Sequence, residues 1–280
     1  MISPNPVFIP GPTNIPETIR RACDLPTVDH RSAAFAEILH PALEGTRKVL
    51  KTTAGEVVVF PATGTAGWEA ALANTLSPGD RVLAGRNGMF SHRWIDMCQR
   101  FGLEVEVLEH RWGEGLDAAR YRAALEADTG HAITAVLVTH NETATGVVSD
   151  VAAIRAALDA AGHPALLMVD GVSSIGSMDF RMDEWGVDLA ITGSQKGFML
   201  PPGLAIVGVS AKARSAMETA KLPRTFLDFR DMLNGYAASG YPYTPAVGLL
   251  NGLRVACDML LGEGLDAVFA RHVRIAEGVR

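Results

Sequence analysis

Short apolar runs alternate with longer stretches of helical pattern through most of this 280-residue chain. Seven of the runs are almost continuously apolar, and each has about the length of a buried strand. They cover residues 57–60, 82–84, 105–108, 133–139, 165–169, 187–191 and 204–209. Helix-length stretches separate several of them, at 66–76, 91–101 and 151–161. This alternation predicts an α/β fold, with a mostly parallel seven-stranded sheet covered by helices on both faces.

The beginning of the chain differs from this alternating centre. Pro10, Gly11, Pro12 and Pro16 give it a density of proline and glycine that disfavours helix. We therefore expect residues 1–25 to form an extended N-terminal arm that lies over another part of the molecule.

The end of the chain also changes character. Residues 26–262 are expected to form one large domain, with a helix at 246–261 and an irregular stretch at 228–240. A last helical pattern begins at residue 265 and still continues at residue 280. We expect residues 263–280 to be the start of a smaller C-terminal domain that is truncated here.

Composition excludes several classes of protein. Hydrophobic residues make up 48% of the chain and charged residues 20%, which is typical of a globular domain. The net charge of −6 disfavours binding to nucleic acid or to acidic membranes. No signal-peptide pattern and no apolar run of membrane-spanning length is visible. The three cysteines are widely spaced without any CxxC, which indicates neither disulfides nor a metal site and fits a cytoplasmic protein.

Candidate chemistry lies at the carboxyl ends of the predicted strands, where ligands gather in parallel sheets. After the first strand, Thr63, Gly64 and Thr65 open a helix. A turn of glycine and threonine at a helix N-terminus suits a phosphate group. The segment matches neither GxxxxGK[ST] nor GxGxxG, so a nucleotide is weakly supported. A helix capped by Thr65 explains the same residues equally well.

Three further strand ends carry groups that suit a planar ligand. Phe90 follows the second strand and could stack on a ring, although a core phenylalanine is the simpler explanation of this segment alone. The segment 139–146 after the fourth strand is dense in polar groups, which is costly unless they bind something. Asp170 is the sole charge after the fifth strand, where it could pair with a protonated pyridine nitrogen or cap the next turn.

A lysine follows the sixth strand in a turn of small and polar residues. Lys196 lies between Gln195 and Gly197, and Pro201 and Pro202 prevent a helix from following. An amine held stiffly and partly desolvated can react with a carbonyl carbon, whereas the alternative is an ordinary surface lysine. A phosphate cradle, a ring stacker, a hydroxyl cluster, a carboxylate and a lysine are together the groups that hold and use pyridoxal 5′-phosphate.

Two motifs at these strand ends resemble the class V aminotransferases of pyridoxal phosphate fold type I. They are Val169-Asp170-Gly171-Val172-Ser173-Ser174 and Gly193-Ser194-Gln195-Lys196-Gly197. The resemblance runs from 9–13 through 139–143 to 241–245 and so covers nearly the whole chain. It is greatest to the branch of alanine–, serine– and aspartate–glyoxylate aminotransferases, and the run 173–179 is similar to the bacterial aspartate– and serine–glyoxylate enzymes.

The resemblance implies a role for each matching residue. Lys196 would form the Schiff base with the cofactor and then move the Cα proton, while Asp170 would bind the pyridine nitrogen. Val172 and Phe90 would pack on the two faces of the ring, and Thr143 would reach its phenolic oxygen. The residues that would hold the phosphate are Thr63, Gly64, Thr65 and Gln195, with Tyr241 and Thr244 reaching the phosphate of a neighbouring subunit.

A function also follows from the resemblance. Members of this branch are homodimers with shared active sites, and their small-molecule substrates are amino acids and 2-oxo acids. The expected reaction is ping-pong transfer of an amino group from a small L-amino acid (serine, aspartate or alanine) to glyoxylate, giving glycine. The sequence does not identify the amino donor.

Two departures from the family pattern leave alternatives open. The ring-stacking residue is Phe90, where animal relatives often have tryptophan, and a phenylalanine instead of histidine disfavours the cysteine desulfurases. The arginine that binds the substrate carboxylate belongs to the small C-terminal domain, and nothing in residues 1–280 matches it. The alternatives are a lyase or desulfurase with the same cofactor, or a cofactor-binding fragment without turnover.

Overall fold

The computed structural model describes residues 7–26 and 28–279, and it places the seven predicted strands in one sheet. The sheet strands are β1 (Glu56–Phe60), β2 (Arg81–Arg86), β3 (Glu104–Glu109), β4 (Ile133–Thr139), β7 (Leu166–Asp170), β8 (Leu189–Gly193) and β9 (Ala205–Val209). A separate hairpin consists of β5 (Asn141–Glu142) and β6 (Val147–Val148). The first six residues of the predicted arm, Thr27 and Arg280 lie outside the described residues.

The strands are mostly parallel, as predicted, in the order β1-β9-β8-β7-β4-β2-β3. Only β9 runs against the others, because it pairs antiparallel with both β1 and β8. Phe60 and Gly193 are both opposite Ala205, and Thr139 is opposite Asp170. The carboxyl ends of β1, β4, β7 and β8 therefore lie at the same edge of the sheet, which brings the turns that follow them together.

Helices cover the sheet on both faces. Every residue of β7, β8 and β9 is buried, and successive side chains of a strand point to opposite faces. The helices are α1 (Glu17–Cys23), α2 (Ala33–Leu50), α3 (Gly64–Thr75), α4 (Met89–Arg100), α5 (Ala118–Ala127), α6 (Val151–Ala160), α7 (Ala211–Ala216), α8 (Phe229–Ala237), α9 (Val247–Glu263) and α10 (Leu265–Val279). Of these, α3 contacts β8 and β9, and α4 contacts β2 and β3. None of the helices in the described ranges is long and apolar enough to cross a membrane.

Helix α8 occupies the stretch that we predicted to be irregular, so that prediction is wrong. Phe229, Met232 and Tyr236 are buried at helical spacing along it. The Asp228 side chain caps the helix by accepting a hydrogen bond from the Arg230 N–H. Packing against the core thus outweighs the low helix propensity of the asparagine and glycine inside it.

Helix α1 lies inside the segment that we predicted to be an extended arm. The proline- and glycine-rich composition ends at Pro16, which is the N-cap residue of α1. Proline is tolerated at a helix start because the first N–H groups have no partner there. The extended part of the arm is therefore shorter than predicted.

Candidate active site

The turn after β1 meets the turns after β7 and β8 at the carboxyl edge of the sheet. A Cβ on Gly64 would lie 2.6 Å from Val172 Cγ2. One on Gly193 would lie 2.9 Å from Gln195 Oε1 and 3.3 Å from the Gly64 nitrogen. Glycine suits these positions because a Cβ would press on the side chains of Val172 and Gln195. The structure therefore brings together the predicted residues Thr63, Gly64, Thr65, Val172 and Gln195.

The N-terminus of α3 is available to an anion. Thr63, not Thr65, is the N-cap residue, and its side chain makes no capping hydrogen bond. The first N–H groups of a helix have no partner within it, and together with the helix dipole they attract negative charge. Among the described residues, Gln195 Oε1 is buried nearby without a hydrogen-bond partner. The free N–H groups of this helix N-terminus, with the Gln195 NH₂ group as a further donor, suit the phosphate that the sequence predicts here.

Asp170 is a buried carboxylate at the end of β7. It is 4% exposed, and its Oδ1 accepts a hydrogen bond from the Val172 N–H at 3.0 Å. Burial raises the pKa of Asp170 to about 7, an effect that the Val172 N–H opposes. The charge of Glu142 raises this pKa further, whereas that of Lys196 lowers it. A carboxylate in such a place is stabilised by a cation, and a protonated ring nitrogen is one.

Hydrogen bonds join the turn after Asp170 to the turn after β4. His140 Nδ1 lies 2.9 Å from Ser174 Oγ. The Asn141 side chain donates to Ser173 Oγ at 2.9 Å, and that hydroxyl donates to the Asn141 carbonyl at 2.9 Å. Burial lowers the pKa of His140 to about 4, so the imidazole is neutral near pH 7. Part of the predicted polar cluster thus supports the Asp170 turn.

Lys196 is half-buried on the turn that follows β8. Its Nζ donates a hydrogen bond to the Pro10 carbonyl at 2.6 Å. Burial lowers the pKa of Lys196 below its ordinary value, and the charge of Asp170 partly opposes this. A lowered pKa increases the neutral fraction of the amine, which is the form that reacts with a carbonyl carbon.

Hydrogen bonds and a close backbone contact hold the Lys196 turn rigidly. Ser194 Oγ donates to the Pro201 carbonyl at 2.7 Å and accepts from the Leu204 N–H at 3.0 Å. Gly197 contacts the Ile175 carbonyl so closely that a Cβ would overlap it. The proline-rich segment after the lysine, which the sequence marked only as a helix breaker, therefore anchors the turn.

The N-terminal arm covers the lysine. The Thr13 N–H donates to the Gln195 carbonyl at 3.1 Å, and Thr13 Oγ1 donates to the Lys196 carbonyl at 3.4 Å. A Cβ on Gly11 would lie 2.6 Å from Lys196 Cδ and 2.7 Å from its Nζ. The sequence predicted that the arm lies over something; the structure shows that this is the lysine turn.

Phe90 lies at the start of α4 as part of an aromatic group. It is half-buried, and its ring meets Trp68 edge-on at 6.5 Å between centroids. Trp68 in turn stacks on Trp94 at 5.8 Å. Trp68 Nε1 is buried with no partner of normal hydrogen-bond geometry among the described residues, yet the indole is close enough to the Asp170 carboxyl to lower its pKa. Sequence reasoning missed Trp68, although a tryptophan near the start of the cradle helix was a visible signal.

Thr143 lies in the turn between β5 and β6 and is half-buried. The neighbouring Glu142 is fully buried and accepts hydrogen bonds from the backbone of Phe90. These hydrogen bonds therefore join the segment that carries Thr143 to the segment that carries Phe90, although the two are far apart in the sequence. Sequence reasoning gave Glu142 no role.

Tyr241 and Thr244 are not brought to this chain's own cradle. The Tyr241 hydroxyl donates to the Val59 carbonyl, and the Tyr236 hydroxyl accepts from the Val59 N–H at 3.0 Å. Val59 belongs to β1 at the sheet edge, so these tyrosines satisfy its outward-facing backbone groups. Thr244 is exposed. The role of Tyr241 and Thr244 toward a neighbouring subunit therefore stays a prediction.

The groups at this edge fit pyridoxal phosphate. An uncapped helix N-terminus and the NH₂ donor of Gln195 suit the phosphate, and buried Asp170 suits a protonated ring nitrogen. Phe90 and Val172 supply apolar contacts, and Lys196 supplies an amine of lowered pKa. The fold and site thus define a pyridoxal phosphate-dependent enzyme.

Comparison with known proteins gives the family. The profile of the aminotransferase class-V family matches residues 21–279. The chain therefore belongs to the class V aminotransferases, and the predicted resemblance is confirmed. Because enzymes of this class use pyridoxal phosphate, the predicted cofactor is confirmed as well.

Individual relatives are also similar over nearly the whole chain. The chain is 71% identical over 280 residues to the L-aspartate–glyoxylate aminotransferase of Paracoccus denitrificans, covering all of this chain and 71% of that protein. It is 54% identical to the serine–glyoxylate aminotransferase of Hyphomicrobium methylovorum, covering 98% of this chain and 68% of that protein. The crystal structure of alanine–glyoxylate aminotransferase from Nostoc superposes with a TM-score of 0.89 at 31% identity, covering 99% of this chain and 74% of that one. The predicted fold type is thereby confirmed.

Proposed function

We propose that this chain carries the cofactor site of a transaminase that moves an amino group from a small L-amino acid to glyoxylate, giving glycine. The observation that carries the proposal is the placement of Lys196 and Asp170 on adjacent strand exits, each with its pKa shifted by burial. Similarity to aspartate–glyoxylate and serine–glyoxylate aminotransferases supports glyoxylate as the acceptor. Serine, aspartate and alanine are the candidate donors.

The chemistry of the proposed reaction divides between two residues of this chain. Bound pyridoxal phosphate supplies an electron sink for the pair released when the substrate Cα–H bond breaks. Lys196, as the neutral amine favoured by its lowered pKa, would take the proton from the substrate Cα and deliver it to the C4′ carbon of the cofactor. Asp170 holds a proton on the ring nitrogen, because its buried carboxylate is stabilised by that positive charge.

Other residues of the site would hold and orient the cofactor. Thr63, Gly64, Thr65 and Gln195 would bind the phosphate at the N-terminus of α3. Phe90 and Val172 would enclose the ring, and Thr143 would contact its phenolic oxygen. In a ping-pong scheme the same site accepts the amino donor first and glyoxylate second, so a fixed cofactor serves both half-reactions.

Assembly and location are further parts of the proposal. A homodimer would place Tyr241 and Thr244 toward the phosphate of the neighbouring subunit, and the exposure of Thr244 is compatible with this.

The relatives are longer than this chain, which supports a small C-terminal domain that starts at 263–280 and supplies the arginine for the substrate carboxylate. The three free cysteines support a cytoplasmic location.

The alternative of a desulfurase gains no support from the cysteines. That reaction needs a mobile, reactive thiol. Burial raises the pKa of Cys98 and of Cys257 to about 12, and it also raises the pKa of half-buried Cys23. None of the three is in the form that a nucleophilic thiol requires.

Substitution of Lys196 by alanine tests the proposed function. The wild-type protein with pyridoxal phosphate should show a visible absorbance band that bleaches with serine or aspartate and returns with glyoxylate. Lys196→Ala should lose that band and the cycle of bleaching and return, because the described part of the chain holds no other lysine amine at this turn. An unchanged spectrum in the variant would refute the assignment of Lys196, and a wild-type band that ignores substrates would favour the fragment without turnover.

A further inference from the structure

We propose that Glu142 is a positioning residue that sets the spacing of the Phe90 and Thr143 segments around the cofactor ring. The inference rests on the proposed function, because it concerns how the same site holds its cofactor. It goes beyond that function in giving a role to a buried carboxylate that contacts neither the cradle nor the lysine turn.

The Glu142 carboxylate accepts hydrogen bonds from two separate segments. Its Oε2 accepts from the Phe90 N–H at 3.1 Å, the Ser91 N–H at 3.0 Å and the Ser91 hydroxyl at 3.2 Å. Its Oε1 accepts from the Ala144 N–H at 3.1 Å and, more weakly, from the Phe90 N–H at 3.3 Å. One side chain thus joins the first turn of α4 to the residue that follows Thr143.

The surroundings leave the carboxylate no other arrangement. Glu142 is fully buried, and Gly88, the N-cap residue of α4, contacts it so closely that a Cβ there would overlap its side chain. The N-terminus of α4 presents unpaired N–H groups and a positive dipole end, both of which favour a negative charge. The carboxylate therefore replaces an ordinary N-cap side chain and at the same time fixes the β5–β6 hairpin.

A carboxylate can make this junction, and an amide of the same shape cannot. A glutamine has one accepting oxygen and one donating NH₂ group. If the glutamine oxygen faces Ser91, its NH₂ group faces the Ala144 N–H. If the amide is turned around, its NH₂ group faces the N–H groups of α4. Either orientation places two donors against each other and separates the two segments, at the cost of an unsatisfied buried group.

The consequence for the site follows from the position of the joined residues. Phe90 is the predicted ring stacker and Thr143 the predicted partner of the phenolic oxygen, and both lie within two residues of a Glu142 contact. If the junction loosens, the two groups no longer approach the ring at a fixed spacing. We expect weaker cofactor binding and a changed ring environment without loss of the cradle or of Lys196.

The experiment compares Glu142→Gln with Asp183→Asn, which makes the same carboxylate-to-amide change at an exposed residue. Asp183 also accepts backbone hydrogen bonds with its carboxylate, from the Thr53 N–H at 2.7 Å and the Ala54 N–H at 3.3 Å. It lies beside the segment that precedes β1, at the opposite edge of the sheet from the site. The measurements are the Kd for pyridoxal 5′-phosphate and the visible circular dichroism per bound cofactor, which reports the orientation of the ring.

A double-mutant cycle separates positioning from general damage. Glu142→Gln should raise the Kd about tenfold or more and change the circular dichroism, while Asp183→Asn should leave both at wild-type values. In a Phe90→Ala background the same glutamine substitution should raise the Kd by less, because one of the two groups that Glu142 positions is already gone. If Glu142→Gln does not fold, Glu142→Asp, which keeps the charge but withdraws it by one methylene, is measured in the same cycle.

Four outcomes are decisive. A wild-type Kd and circular dichroism in the Glu142 variant would overturn the inference, as would an equal rise of the Kd in the presence and absence of Phe90. A wild-type protein that does not bind pyridoxal phosphate would instead overturn the proposed function. The predicted non-additive loss, with the control unchanged, would support both.

Discussion

Two buried aspartates on neighbouring strands differ sharply in how the protein satisfies them. Asp170 and Asp188 are each 4% exposed. Asp188 precedes β8 at the amino edge of the sheet, where its oxygens accept from the Leu167 N–H at 2.9 Å and the Ser210 hydroxyl at 2.8 Å. The Lys212 ammonium lies 3.6 Å from it. The protein itself therefore compensates the burial of Asp188.

Asp170 lies at the opposite edge and is compensated much less. In the described part of the chain its carboxylate accepts one hydrogen bond of normal geometry, from the Val172 N–H, and burial raises its pKa to about 7. A polar group that the fold leaves partly unsatisfied is available to a ligand but costs stability until the ligand binds. The comparison teaches that a candidate functional aspartate is recognised by what its surroundings lack, since burial is the same for both.

The largest expected effect is that of Asp170→Asn on amino-group transfer. An asparagine cannot keep a proton on the ring nitrogen by charge, so the electron sink is weakened. We expect a loss of about 100-fold or more in the rate of the first half-reaction. Single-turnover absorbance after addition of the amino donor measures it, and a rate within a few-fold of wild type would contradict the role of Asp170.

In the cofactor-free protein the same variant should be favourable, because it should raise the free energy of unfolding at high pH. The folded-state pKa of Asp170 is raised to about 7 from 3.8, so the native state binds more protons than the unfolded state between these values. The free energy of unfolding should therefore fall as the pH rises through this window, by on the order of 4 kcal/mol at most. Asp170→Asn should remove that part of the slope and be the more stable protein at pH 8; equal slopes in urea unfolding would contradict the buried, weakly compensated carboxylate.

Asp188→Asn should lower the stability of the fold and leave cofactor binding unchanged. The size of its effect should lie between those of the other variants. An amide cannot accept both hydrogen bonds and loses the charge that faces Lys212. We expect the free energy of unfolding to fall by about 1–3 kcal/mol. The Kd for pyridoxal phosphate should stay at the wild-type value, because this residue lies at the other edge of the sheet. A weaker Kd with unchanged stability would show that the two aspartates are not separated as the structure indicates.

The smallest expected effect is that of Gly11→Ala in the arm. The new Cβ would overlap the Lys196 side chain, but the arm can move away from the lysine turn. We expect the Kd for pyridoxal phosphate to rise about fivefold. Gly79→Ala is the control, because Gly79 also has a positive φ, of 84°, and a Cβ there has no neighbour within 4 Å. An equal rise in both variants would assign the effect to backbone strain instead of the contact with Lys196.

Much of the fold could be predicted from single segments of sequence. Buried parallel strands must be apolar on both faces, so their runs are visible without knowledge of their neighbours. Asp170 could be picked out as the charge directly after such a run, and Lys196 as the charge in the turn after another. Helix α8 was missed for the converse reason, since its stability comes from the burial of Phe229 and Met232 against distant residues.

Residues that act across long sequence separations were not predictable in this way. Glu142 meets the backbone of Phe90 from 52 residues away, and nothing in either segment specifies the other. The same holds for Gly11, whose requirement for glycine comes from Lys196. The roles of Asp188 and Trp68 also depend on which strand or helix lies beside them.

The sequence by itself determined the class of fold, the cofactor and the residue types that carry its chemistry, because these depend on local patterns of burial and on groups placed at strand ends. Only the tertiary structure decided which of those groups are satisfied by the protein and which are left for a ligand. The physical reason is that burial and hydrogen bonding depend on neighbours in space. Asp170 and Asp188 are therefore equally buried but differ in how far the protein compensates them.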